Sequence, residues 1–208
     1  MKTKLLILSI LILSGCSSTK LVSTWKNPDI VLFDAYKVLV VGMAQDENVR
    51  IEFETRLKER LNKKGVEAMR SIDLFDVQFT SSEKSEKELS EVEQQLLDKG
   101  FDAILFTKVV GTENKRTFRE RMRNLNNMYT DFSNDYLEHQ DIYYDSGYYE
   151  TFNIYQTETS LYCICVDKER ELIWRGNIDV SEPVNMDKTI DSYIKLIAEK
   201  MKEQEVLF

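Results

Sequence analysis

The run YKVLVVG, Tyr36 to Gly42, is apolar and rich in β-branched residues, with no polar alternation. Such a run suits a strand buried on both faces, and strands of that kind belong to parallel sheets covered by helices. The residues after it predict a β-α-β unit. Asp46 can N-cap a helix; Val49, Phe53, Leu57 and Leu61 recur every fourth position; Gly65 can end it. VEAMRS then reads as a second strand. Another unit follows: Ser85 and Glu88 have capping-box spacing, Leu89, Val92 and Leu96 form an apolar stripe, and Gly100 supplies a stop. The third strand is FDAILFTKVVG, Phe101 to Gly111.

The pattern breaks from Lys115 to Glu150, where neither a clear strand nor a clear helix is legible. TETSLYCICV and LIWRGNIDV then flank the charged turn DKERE, as in a β-hairpin. Ile190, Ile194, Ile197 and Met201 mark a C-terminal amphipathic helix, with Asp187 a plausible N-cap. The expectation is a single α/β domain over residues 36–208. Its mixed sheet comes from two β-α units plus the hairpin, and it carries an insertion at about 113–156.

Residues 1–15 have the layout of a signal peptide: Lys2 and Lys4, the apolar run LLILSILIL, then small residues. That run is too short to cross a bilayer as a helix, which takes about 20 residues. LSGC, Leu13 to Cys16, resembles the lipobox of bacterial lipoproteins. The resemblance implies cleavage before Cys16 and lipid attachment to its sulfur. Two or three acyl chains hold a protein firmly where one does not. Ser17 after the cysteine resembles the outer-membrane default, so an anchored, periplasm-facing protein is expected. Residues 16–35 then form a short tether, in which LVSTW is a candidate first strand.

The net charge of −8 argues against a broad nucleic-acid surface, which needs clustered cations. The basic run KRTFRERMR, Lys115 to Arg123, reads as a solvated face or as a contact for anionic lipid or glycan. No dinucleotide, P-loop or nucleophile-elbow motif is present. The single histidine, His139, has no nucleophile paired with it in the sequence and reads as a surface residue. Metal ligation is not expected, because no Cys/His pair has zinc spacing. Cys163 and Cys165 share a strand face about 6.6 Å apart, wider than a disulfide prefers, and read as buried thiols. No cofactor and no catalysis are expected.

Four segments carry a family resemblance: LVSTWKNPDI, YKVLVVGMAQDENVRIEFETRLKERLNKKGVEA, GFDAILFTKVVG and TETSLYCICVDKERELIWRG, in that order. They resemble a family of Bacteroidetes-type lipoproteins of unknown function, across nearly all of the chain after Cys16. Some members are labelled cardiolipin synthetase. The usual bacterial enzyme of that kind needs paired His-x-Lys motifs, which one histidine cannot supply. The resemblance implies a fold similar to the penicillin-binding-protein activator lipoprotein and to the N-terminal domain of the Tol translocation protein, both binding modules. It also implies a Tyr-rich insertion before the ETSLY strand.

That insertion is DIYYDSGYYETFNIY, Asp141 to Tyr155. One reading is a plain β-ribbon, since tyrosine favours strands and DSG can turn a hairpin. Another is a recognition surface for an envelope protein through Tyr143, Tyr144, Tyr148, Tyr149 and Tyr155, because tyrosine gives broad amphipathic contact. A third is stacking on glycan rings. The expected function is a non-enzymatic protein-binding module in envelope assembly or maintenance. The alternative is a glycan or small-molecule binder using the strand-end turn near Asp46, where α/β folds often hold ligands.

Overall fold

The structure, a computed structural model, describes residues 19–75, 77–110, 131–144, 154–164, 171–181 and 185–207. Cys16, Tyr148, Tyr149 and the basic run Lys115–Arg123 lie outside the described residues, as does the signal segment. Among the described residues six strands make one sheet: β1 (Thr19–Lys26), β2 (Lys37–Met43), β3 (Glu67–Arg70), β4 (Ala103–Val110), β5 (Ile154–Cys163) and β6 (Glu171–Ser181). Their order is β1-β6-β5-β4-β2-β3. β2 pairs in parallel with β3 and β4, and the other three pairings are antiparallel. The expected single α/β domain with a mixed sheet is what forms, hairpin included.

The α-helices among the described residues are α1 (Glu47–Asn62), α2 (Ser71–Leu74), α3 (Glu86–Asp98), α4 (Phe132–His139), α5 (Asp141–Tyr144) and α6 (Met186–Glu203). α1 and α6 cover one face of the sheet through Phe53, Leu57, Ile190, Ile194 and Ile197, packed on Val38, Val40 and Leu105. α3, α4 and α5 cover the other through Leu89, Leu96, Phe132 and Ile142, packed on Leu39, Val41, Ile104 and Phe106. Successive residues of β2 and of the first half of β4 thus feed opposite cores, which is why Val38–Val41 and Ala103–Phe106 read as apolar runs.

Local signals explain most element ends. Asp46 Oδ1 accepts from the N–H groups of Asn48 (2.8 Å) and Val49 (3.1 Å), so it caps α1. Ser85 and Glu88 close the capping box of α3. Gly65 and Gly100 adopt φ of +86° and +78° after α1 and α3, a region that favours glycine. α6 departs from expectation. Its cap is Asn185, whose side chain accepts from Lys188 N, while Asp187 lies in the first turn and pairs with Arg56 of α1 at 3.2 Å.

β6 carries a bulge. Leu161 pairs with Trp174 but Tyr162 pairs with Leu172, so Ile173 is the extra residue, and both Ile173 and Trp174 enter the α1/α6 core.

Three further expectations change. α4 and α5 occupy part of the stretch that showed no pattern. α4 is only eight residues long and buries Asp135 beside Phe132 and Tyr136, so its inward face does not look apolar in sequence. Tyr143 and Tyr144 lie on helix α5 rather than on a ribbon. Cys163 is disulfide-bonded, not a free thiol, with a partner outside the described residues. Cys163 is the last residue of β5.

Candidate functional site

β2 leads through α1 to β3 on one side, and the return through α3 places β4 on its other side. The two crossings cover opposite faces of the sheet. The gap outside the C-terminal ends of β2 and β4 is therefore a topological switch point, the place where open α/β sheets form ligand crevices. A cavity of about 350 Å³ lies there, inside the range of ligand sites, roughly 300–1,000 Å³.

Four parts of the fold build its wall. The end of β2 and the turn after it give Met43 to Asp46, and the first turns of α1 give Val49 and Phe53. β4, β5 and β6 give Val109, Tyr155 and Val180. The start of α6 gives Met186, Ile190 and Tyr193. Phe53 and Tyr193 meet edge to face at 6.0 Å and join the two covering helices behind the cavity. The lining is overwhelmingly apolar.

Its polar groups are engaged. Asp46 caps α1, as above. Arg50 donates to Glu54 Oε1 at 3.3 Å and to Ser71 Oγ at 3.1 Å. The buried Glu54 carboxylate also accepts from Gly42 N (2.9 Å), Ser71 Oγ (2.7 Å) and Ile72 N (3.2 Å). One side chain of α1 thereby fixes the end of β2 and the start of α2. The Tyr193 hydroxyl meets Thr159 Oγ1 at 2.7 Å; burial pushes its phenol up to about 12. A Cβ on Gly42 would stand 3.1 Å from the Phe53 ring, so glycine permits this close approach of α1.

A separate charged cluster lies under α4 on the opposite face. Lys108 and Arg175 face Asp135 and Glu158, and all four are buried. Lys108 Nζ reaches Asp135 and, at 2.8 Å, Glu158; Arg175 Nε lies 3.2 Å from Glu158 Oε1. The Tyr162 hydroxyl donates to Asp135. Burial alone would raise the Asp135 carboxyl, but the charge of Lys108, the His139 hydrogen bond and Arg175 outweigh it, so it ionises well below the usual carboxylate range. Burial, then the Asp135 charge, drives the Tyr162 phenol well above its ordinary value. Among the described residues two cations balance two anions in this cluster, which ties α4 to the sheet. His139 belongs to its rim, with Nδ1 2.9 Å from Asp135 O, and is not a free surface residue. No sequence pattern pointed to the cluster, because its members come from three strands and a short helix.

The structure separates the tyrosines. Tyr143 is half-buried against the α3 side, its hydroxyl donating to Gly42 O at 3.4 Å and its ring 5.3 Å from the Arg50 guanidinium. Tyr155 packs in the α1/α6 core and lines the cavity. Tyr144 is 43% exposed.

No family model matches the chain, and no curated protein matches it. Among solved structures, the PelC dodecamer from Paraburkholderia phytofirmans is similar at a TM-score of 0.44 and 7% identity, covering 90% of this chain and 98% of that one. Lipoprotein GNA1162 from Neisseria meningitidis is similar at a TM-score of 0.38 and 12% identity, covering 80% of this chain and 99% of that one.

Proposed function

We propose that this protein is a lipid-anchored envelope protein that binds a small apolar ligand in the strand-end cavity and catalyses no reaction. One observation carries the reading: a cavity of about 350 Å³ at the switch point, walled by Met43, Phe53, Val109, Val180 and Ile190. Binding is favoured over catalysis because the ionisable groups of the wall are committed to the fold. Asp46 caps a helix, Arg50 pairs with Glu54, and Tyr193 is bonded to Thr159. A glycan fits less well, since its hydroxyls need partners, and polar groups of the wall such as Thr157 and Thr189 are already bonded within the fold. The anchor reading is supported by LSGC at Cys16, and export by the disulfide at Cys163, a bond favoured in oxidising compartments.

The test is titration of the purified protein with an environment-sensitive apolar dye. Saturable one-to-one binding is expected, lost when Val109→Trp and Met186→Trp together fill the cavity. Equal binding by a folded double variant overturns the proposal. For the anchor, Cys16→Ala should abolish acyl labelling; persistent labelling refutes it.

A second reading, docking of an envelope protein through the Tyr-rich segment, is supported by the exposure of Tyr144. In-cell crosslinking tests it: Tyr144→Ser should lose a specific partner while the core stays intact, and an unchanged partner list removes the reading.

A further inference from the structure

We infer that the strand-end cavity takes one acyl chain of a membrane phospholipid, drawn from the leaflet to which the protein is anchored. This rests on the apolar-ligand reading and the Cys16 anchor proposed above, and on where β1 starts. β1 runs antiparallel to β6, β6 to β5, and β5 to β4. The start of β1 therefore shares one end of the sheet with the C-terminal ends of β6, β4 and β2. That is the cavity end. The register fixes the contact: Thr19, the first residue of β1, pairs with Val180, and Val180 is part of the cavity wall.

Only Ser17 and Ser18 stand between Thr19 and Cys16. Three residue steps span at most about 11 Å, and neighbouring strands lie about 4.8 Å apart. A lipid on Cys16 therefore holds this end of the sheet against the bilayer surface, cavity included. The other end of the sheet, where β2 begins and the loop with Val31 and Leu32 lies, points away from it.

The wall chemistry selects the part of the lipid that enters. Met43, Phe53, Val109, Val180 and Ile190 offer methylene and ring surface to a hydrocarbon. Asp46 adds an exposed carboxylate to the wall, which disfavours entry of an anionic headgroup. The chain enters by its methyl end and the headgroup stays outside. Each methylene moved from water into such a wall strengthens binding roughly fourfold. A chain taken straight from the bilayer gains far less, so occupancy is exchangeable, as suits a protein that samples or hands on lipid.

The experiment uses the full lipidated chain in phosphatidylethanolamine/phosphatidylglycerol vesicles. A trace of the phosphatidylethanolamine carries a diazirine at the end of one acyl chain. After illumination, crosslinks are expected at Phe53, Val180 and Ile190, and are expected to be lost in the Val109→Trp/Met186→Trp variant. Crosslinks that appear only with Cys16→Ala protein mean that the anchor's own chain occupies the cavity, and overturn the phospholipid assignment. Absence of cavity crosslinks in both proteins, with dye binding retained, overturns the acyl-chain assignment and leaves the apolar-ligand reading standing. Absence of both crosslinks and dye binding overturns both.

Discussion

The carboxylate of Glu54, from the middle of α1, accepts the backbone N–H of Gly42 at 2.9 Å and thereby fixes the end of β2 to the helix that follows it. The same group holds Arg50, Ser71 and Ile72 N. Glu54→Ala leaves a buried guanidinium and two N–H groups without this partner, and should cost about 3–5 kcal/mol. Glu54→Gln keeps the shape and should cost less, about 1–3 kcal/mol. Urea unfolding midpoints order the two variants; equal midpoints for Glu54→Ala and the native chain contradict the clamp.

The indole of Trp174 lies over Gly176, so that a Cβ there would stand 2.3 Å from the ring. Trp174 cannot easily yield, being fully buried and donating Nε1–H to Gln204 Oε1 at 2.5 Å. Gly176→Ala should destabilise by about 1–3 kcal/mol through overpacking. Combining it with Trp174→Leu should be less than additive, a coupling that a double-mutant cycle reads directly.

The buried ion cluster sets an acid limit. Asp135 ionises lower in the folded chain than its ordinary 3.8, so the unfolded chain binds the proton first as pH falls. Its contribution is complete above about pH 5 and declines as acid is added below about pH 4. Tyr162 and Tyr193 ionise higher in the folded chain than their ordinary 10.0, so stability also falls once the pH passes that value. Unfolding free energies measured from pH 3 to 11 should show both limbs. Asp135→Asn should flatten the acid limb and, by leaving Lys108 short of its partner, lower stability at neutral pH by about 3–5 kcal/mol.

Two adjacent tyrosines should behave differently. Tyr143 packs between Tyr136 and Arg50, and Tyr143→Ala should cost about 2–4 kcal/mol. Tyr144 is solvent-facing, and Tyr144→Ala should stay within about 0.5 kcal/mol. Thermal unfolding of the pair checks this, and a large loss at Tyr144 contradicts the placement of α5.

The amino-acid order alone determined the parallel centre of this protein and its punctuation. An unbroken apolar run reveals a doubly buried strand, and Asp46, Ser85, Gly65 and Gly100 mark helix ends, because each of those signals acts within a few residues along the chain. The α6 cap was misplaced by two positions for a local reason: Asn185 and Asp187 are both able caps, and only the packing of α1 against α6 commits Asp187 to Arg56. The helix holding Tyr143 and the cluster of Lys108, Asp135, Glu158 and Arg175 were not legible. Their polar residues look like surface until the register of β4, β5 and β6 sets them face to face beneath α4. The cavity has the same origin. Val109, Tyr155, Val180 and Ile190 lie on four elements, and no sequence spacing relates them. Their meeting depends on strand order and on the helices above, which arise from long-range burial, so only the tertiary structure decided that this chain has a pocket and that the pocket lies at the end of the sheet where β1 starts.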